Sequence, residues 1–319
     1  MEYKYLGRTG LKVSELCMGS MNFGWTAPRE NCAPVMDAFF EAGGNFIDTA
    51  DVYSRWAPGN PGGVAEELIG AWLKTKRRDQ VIIATKVRGK LGDGPNDQGL
   101  SRKHILEACE ASLRRLQTDY IDLYQTHWWD EHVPLDETLR ALDDLVRAGK
   151  VRYLGCSNLP AWHLMESLWV SDRHNLARYD AIQPHYNLVH RAEFEREHQA
   201  VCLKYGLGVI PYSPLAGGLL TGKYRRGVEA KEGTRGWNLR HAFTEKNFSL
   251  IDKLDDIAQA HGRTVLHAAL AWIRQQPAVT SPIIGVNTVE QWREMAGVIG
   301  WRLSEEEVKA LNDASKWEE

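Results

Sequence analysis

A carboxylate, an ammonium and an imidazole stand at the ends of three short apolar runs in this chain, and a phenol follows the first. Asn45-Phe46-Ile47-Asp48 reads as a buried strand whose β-preferring residues give way to Asp48, with Tyr53 five residues on in a polar loop. Val81-Ile82-Ile83-Ala84-Thr85-Lys86 ends in a lysine, and Ile121-Asp122-Leu123-Tyr124-Gln125-Thr126-His127 ends in a histidine. Parallel packing of those strands would gather all four side chains on one face. Each alone has an ordinary structural use, as turn cap, ion pair, packed ring or loop cover. Together they suit the reduction of a carbonyl, in which hydride adds to carbon and the oxygen takes a proton. Tyr53 is the donor. At its ordinary pKa of about 10 a phenol is a sluggish acid, so a neighbouring ammonium that favours tyrosinate is needed, and Lys86 fills that place. Asp48 would hold Lys86 charged and positioned, and His127 would orient the substrate oxygen.

The hydride must come from a cofactor, because no side chain supplies one. Groups to hold it follow the later strands. Ser157-Asn158 follows the fifth, Gln183 ends the sixth, and Tyr212-Ser213-Pro214-Leu215-Ala216-Gly217-Gly218 follows the seventh. Side-chain amides could read a carboxamide, and Tyr212 could stack on a nicotinamide. Gly217 would let backbone approach a pyrophosphate, with Lys223 and Arg225 supplying positive charge. Trp25, Trp56, Trp128 and Trp129 lie in loops after strands, which suits an aromatic-walled substrate pocket. The polar stretch from Arg225 to Lys246, carrying Gly233, Gly236 and Trp237, is long enough to lie over the cofactor and gate its release.

Eight strand-like runs are expected at Glu15–Met18, Asn45–Asp48, Val81–Lys86, Ile121–His127, Val151–Ser157, Ala181–Gln183, Val209–Ser213 and Pro282–Gly285. Helical patterns separate them, among them Arg29–Ala42, Val64–Lys76, Arg102–Leu116, Leu135–Ala148, Ala161–Val170 and Arg191–Tyr205, with glycines at 43 and 149 placed for left-handed helix ends. This alternation fits a (β/α)8 barrel, whose catalytic groups gather at the carboxyl ends of the strands. A doubly wound sheet would carry a Gly-x-Gly-x-x-Gly turn after an early strand, and none is present. An N-terminal hairpin around Gly7-Arg8-Thr9-Gly10 and extra C-terminal helices complete a single domain spanning residues 1–319.

Composition narrows the class further. Hydrophobic residues at 43% and charged residues at 25% argue against disorder. A net charge of -3 with scattered basic residues gives no footprint for nucleic acid. No apolar run reaches the roughly 20 residues of a membrane span, and the N-terminus has no apolar signal core, so a cytoplasmic protein is expected. Cys17, Cys32, Cys109, Cys156 and Cys202 are widely spaced without a CxxC pair, and the histidines form no tight ligand cluster. Neither a disulfide framework nor a metal site is expected. A homo-oligomer is left open.

Taken in combination, these segments resemble the aldo-keto reductases. The likeness runs from Leu6-Gly7-Arg8-Thr9-Gly10-Leu11 through Phe46-Ile47-Asp48-Thr49-Ala50 with Tyr53, Thr85-Lys86, Asp122-Leu123-Tyr124-Gln125-Thr126-His127-Trp128 and Gly149-Lys150-Val151-Arg152-Tyr153-Leu154-Gly155-Cys156-Ser157-Asn158, then through Tyr212-Ser213-Pro214-Leu215 to Ile284-Gly285-Val286-Asn287-Thr288-Val289-Glu290-Gln291. The resemblance implies a (β/α)8 barrel binding extended NADPH, a catalytic tetrad of Asp48, Tyr53, Lys86 and His127, and nicotinamide contacts at Ser157, Asn158, Gln183 and Tyr212. It also implies an adenosine-end clamp at Gly285 and Asn287, with Gln291 and Glu294. Asn287 stands where many relatives have arginine, and Met295 where asparagine usually follows Glu294, which makes NADH the alternative cofactor. The same family admits a redox-sensing regulatory subunit like the potassium-channel β subunits. From the residues alone, a barrel lyase or isomerase using Lys86 as a Schiff base is a third reading.

Overall fold

The computed structural model describes residues 1–227 and 238–317. Period-two alternation within the apolar runs produces strands that send every second side chain inward. β1 (Tyr3–Tyr5) and β2 (Lys12–Ser14) pair antiparallel as the expected hairpin. The main sheet contains β3 (Cys17–Gly19), β4 (Phe46–Asp48), β5 (Ile82–Val87), β6 (Ile121–Thr126), β7 (Val151–Ser157), β8 (Tyr179–Gln183), β9 (Gly208–Val209) and β10 (Ile283–Gly285). All neighbours are parallel, in the order β10-β3-β4-β5-β6-β7-β8-β9. The two edges meet, because Thr280 N donates to Val209 O and Ile283 N to Pro211 O, each at 2.8 Å. With helices between the strands, the sheet curls into the (β/α)8 arrangement.

The sequence punctuation works as expected. Gly43 (φ 86°) and Gly149 (φ 73°) take left-handed conformations just past their helices. Ser101 caps the Arg102–Leu116 helix, accepting from His104 N, and Ser304 and Glu307 form a reciprocal capping box at the Glu305–Ala314 helix.

Two elements depart from expectation. The seventh barrel strand, expected at Val209–Ser213, is only Gly208–Val209. Pro211 has no N–H to give the ladder, and Ser213 turns to φ 55°, so Tyr212 pairs only as an isolated bridge with His185. The helix expected over Arg191–Tyr205 is interrupted: a π-helical turn at Phe194–His198 precedes the α-helix Gln199–Tyr205. Gly233, Gly236 and Trp237 of the expected gating loop lie outside the described residues. Among the described residues no helix is long and apolar enough to cross a membrane.

The interior is layered. Cys17, Phe46, Ile82, Ala84, Leu123, Ala181, Ile210 and Ile283 fill one end of the barrel, and Leu6 and Val13 from the hairpin join the same cluster. The hairpin plugs that end tightly. Arg8 N donates to Gly206 O at 2.8 Å, and a Cβ on Gly7 would lie 2.4 Å from that oxygen. Burying each large apolar side chain here contributes about 1.5–3 kcal/mol. One inward position further along four strands, the apolar side chain is replaced by a polar one: Phe46 gives way to Asp48, Ala84 to Lys86, Leu123 to Gln125 and Ala181 to Gln183. The apolar plug ends where the polar layer begins.

Candidate active site

The polar layer is built around Lys86, which is fully buried. Its Nζ donates to Asp48 Oδ2 at 2.6 Å, to Thr49 O at 2.8 Å and to the Tyr53 hydroxyl at 2.9 Å. All three ammonium protons are engaged. Burial works against the charge, yet Asp48 and Tyr53 outweigh it, so the Lys86 pKa stands above its ordinary value. With all three protons engaged, the ammonium offers Schiff-base chemistry no free lone pair. The other Asp48 oxygen, Oδ1, accepts from Gln183 Nε2 at 2.8 Å and Gln125 Nε2 at 3.3 Å. Gly155 makes room for this arrangement, since a Cβ there would come within 3.0 Å of Gln125.

Tyr53 reaches Lys86 from the loop after β4, and its backbone is fixed by Tyr53 N donating to Ala50 O at 3.2 Å. Burial pushes its phenol above the ordinary value, more than the Lys86 charge draws it down. The resting group is therefore a protonated phenol. His127 follows β6, its ring edge-on to Tyr53 with centroids 5.9 Å apart and stacked on Trp128 at 3.7 Å. Burial, with the Lys86 and Arg88 charges adding, holds the imidazole well below its ordinary pKa. It is neutral at neutral pH, and its Nδ1 has no hydrogen-bond partner among the described residues. The four groups read from the sequence thus come together as a protonated phenol, a carboxylate–ammonium pair and a neutral imidazole.

Three tryptophans frame this centre unequally. Trp56 lies edge-on to Tyr53 at 6.1 Å and to Trp25 at 5.6 Å, and Trp128 backs His127. All three are exposed, whereas Trp129 turns to Trp162 and His163 instead.

The residues expected to hold a cofactor fall into two sets. Ser157, Asn158, Gln183 and Tyr212 surround the centre. Ser157 Oγ donates to Gln183 O at 2.9 Å, and Asn158 Nδ2 donates to His127 O at 3.0 Å. The Tyr212 hydroxyl donates to Asn158 Oδ1 at 2.9 Å. Gln183 commits its amide nitrogen to Asp48, so what it offers a ligand is its carbonyl oxygen. Ser213, Pro214 and Leu215 lead into a turn in which Gly217 and Gly218 take φ of 66° and 107°. Beyond it Lys223 lies over the Tyr224 ring, and Arg225 pairs with Asp255 at 3.2 Å.

The second set sits after β10. Asn287 does not point its amide freely outward, for its Oδ1 accepts from Asn22 Nδ2 and, at 3.2 Å, from Thr26 Oγ1. Gln291 Oε1 accepts from Asn287 N at 2.7 Å, while Glu294 contributes its backbone oxygen to His267 Nε2 at 2.6 Å. A Cβ on Gly285 would approach the Asn22 side chain at 3.6 Å.

Sequence reasoning passed over Gln125, although it lies two residues before His127 on the inward face of the same strand. Asn22 and Thr26 were also missed, because nothing local shows that they meet a residue from the far end of the chain. Asp51 was another omission. It is wholly buried two residues before Tyr53, and burial first and the Glu66 charge second push its carboxyl from 3.8 up to about 8. The folded protein then holds this proton more tightly than the unfolded chain, so rising pH between about 3.8 and about 8 favours unfolding at this residue. Asp51→Asn should gain melting temperature over the parent progressively across that window. A difference that stays flat with pH contradicts this.

A model of the Aldo/keto reductase family matches residues 15–316. The chain is 40% identical to an uncharacterized oxidoreductase, YrpG, of Bacillus subtilis, over 98% of this chain and 95% of the relative. It is 34% identical to the versiconal hemiacetal acetate reductase of Aspergillus parasiticus, over 98% of this chain and 96% of the relative. A probable voltage-gated potassium channel subunit beta of Arabidopsis thaliana is 36% identical, over 92% of this chain and 90% of the relative.

Proposed function

We propose that this chain, which belongs to the aldo/keto reductase family, reduces aldehydes and ketones to alcohols with Tyr53 as the proton donor. The observation that carries this reading is the buried Lys86 ammonium, bonded at once to Asp48 and to the Tyr53 hydroxyl. A bound nicotinamide cofactor, NADPH or NADH, supplies the hydride. Everything else is done by the chain. The substrate carbonyl oxygen approaches the Tyr53 hydroxyl and accepts a hydrogen bond from it. As negative charge develops on that oxygen, Tyr53 passes its proton to it and becomes a tyrosinate, which the Lys86 ammonium stabilises at 2.9 Å. Asp48 keeps Lys86 charged, and Gln125 and Gln183 keep Asp48 oriented. His127, being neutral, hydrogen-bonds the same substrate oxygen without competing for the proton. In the reverse direction Tyr53 takes the proton back.

The groups around Tyr212 fit a nicotinamide. That ring is partly exposed and held at its hydroxyl, with Ser157, Asn158 and the Gln183 carbonyl beside it, and the positive-φ turn at Gly217 suits close approach by a pyrophosphate. At the adenosine end the uncharged Asn287, already bonded to Asn22 and Thr26, gives a 2′-phosphate no cation, so NADH should serve nearly as well as NADPH. Asn287→Arg supplies one, and it should raise the ratio of kcat/KM for NADPH over NADH by about tenfold. An unchanged ratio would move the discriminating contact elsewhere.

Trp25, Trp56 and Trp128 around Tyr53 favour aromatic or extended apolar carbonyl compounds over small aliphatic ones. All five cysteines are buried and unpaired, which suits a reducing compartment such as the cytoplasm. The channel-subunit relative motivates a second reading, a cofactor-holding sensor. Steady-state turnover of aldehydes favours the enzyme, whereas tight cofactor retention without multiple turnovers favours the sensor.

A further inference from the structure

Tyr212 is supported by stacked rings that the proposed chemistry does not use. The His185 ring lies nearly parallel to Tyr212, centroids 5.1 Å apart at 7°, and His190 stacks on His185 at 4.0 Å and 21°. The stack is held from several sides. His185 Nε2 is 3.3 Å from Asn187 Nδ2, which also donates to Ser213 O at 3.0 Å. The backbones of Asn187 and His190 bond reciprocally, at 3.2 and 3.0 Å. His190 Nε2 lies 3.5 Å from Glu193 Oε2. At its other end Tyr212 is tied through its hydroxyl to Asn158, and through Asn158 to the backbone of His127. One face of the phenol is covered and its tip is fixed, which leaves its plane little freedom.

The charge of this support matters as much as its shape. His190 and Glu193 act on His185 electrostatically, Tyr212 faces its ring, and His198 lines the same cavity. Burial, with His190 adding and Glu193 opposing, holds the His185 imidazole down to about 4. His185 itself then places no positive charge behind a ring expected to meet the nicotinamide, which is cationic when oxidised.

We propose that His185, seated on His190, is a positioning residue for the cofactor, fixing the plane of Tyr212 so that its uncovered face receives the nicotinamide ring. The proposal rests on reading Tyr212 as the nicotinamide platform. Pre-ordering that ring spares the cofactor the cost of immobilising it, an effect of about fivefold in affinity.

The test is quenching of tryptophan fluorescence by NADPH and by NADP+ in the full-length parent and in Tyr212→Ala, His185→Ala and His185→Phe, together with kcat at saturating cofactor on an aromatic aldehyde. Tyr212→Ala should weaken binding of both forms. His185→Ala should raise Kd about fivefold without lowering kcat, and His185→Phe, which restores a flat neutral ring, should return Kd to within about twofold of the parent. A normal Kd in His185→Ala beside a weakened Tyr212→Ala overturns the support role and spares the Tyr212 reading. Normal Kd in both overturns both. Equal weakening in His185→Ala and His185→Phe, with a lowered melting temperature, makes the residue merely structural and overturns the proposal.

Discussion

Tyr53→Phe should lower kcat by about 10²- to 10⁴-fold, the usual contribution of a positioned proton donor. Cofactor affinity should hardly move. The substitution removes one oxygen, whose one hydrogen bond among the described residues is from Lys86 Nζ, at 2.9 Å. The ring keeps its edge-on packing against His127 and Trp56. Single-turnover rates and equilibrium titration with NADPH separate the two quantities. Near-parent kcat with normal binding would show that another group, or water, delivers the proton.

A larger and different loss is expected from Lys86→Met. The ammonium and Asp48 are both almost wholly buried, and removing one partner strands the other charge without solvent. Breaking such a pair typically costs about 3–5 kcal/mol, so this variant should both unfold at lower denaturant and lose turnover. The two effects can be separated. Pairing Lys86→Met with Asp48→Asn takes away the stranded charge and lets Gln125 and Gln183 bond to a neutral amide. The double variant should recover most of the stability and stay catalytically poor, since the tyrosinate left by proton donation still has no cation beside it. Recovery of activity along with stability would reduce Lys86 to a structural ion pair.

Why the core of the site could be read from the chain is plain in the strands themselves. Strand side chains alternate, so Asp48 and Lys86 had to share the inward face with Phe46 and Ala84, and parallel order brought them to one end. The same alternation pointed to Gln125, which pairs across from Lys86 in the β5–β6 register, but an amide two residues before a histidine draws less attention than the histidine. Gln183 was legible in position and not in use: its amide nitrogen supports Asp48, whose free oxygen no local pattern reveals. The Asn22–Asn287 contact spans 265 residues and could only come from the closed barrel. The shortness of β9 was written in Pro211. The interruption at Phe194–His198 was not, because those residues keep a helical periodicity.

The electrostatics depended on burial, which sequence only suggests. A lysine beside Tyr53 was expected to draw the phenol's pKa down, yet the site is closed enough that burial wins and the phenol stays protonated. That suits the proposed reduction, in which the proton would be held until charge develops on the substrate. The same burial neutralises His127, so the ring proposed to orient the carbonyl would not be a rival acid.

The most direct measurement is the loss of nicotinamide absorbance when the purified protein meets aromatic, aliphatic and sugar aldehydes, with NADPH and NADH run in parallel. Multiple turnovers are predicted, fastest on aromatic aldehydes and with comparable rates from the two cofactors, and lost in Tyr53→Phe. Bound cofactor that no aldehyde or ketone oxidises beyond a single turnover would contradict the reductase and leave the sensor.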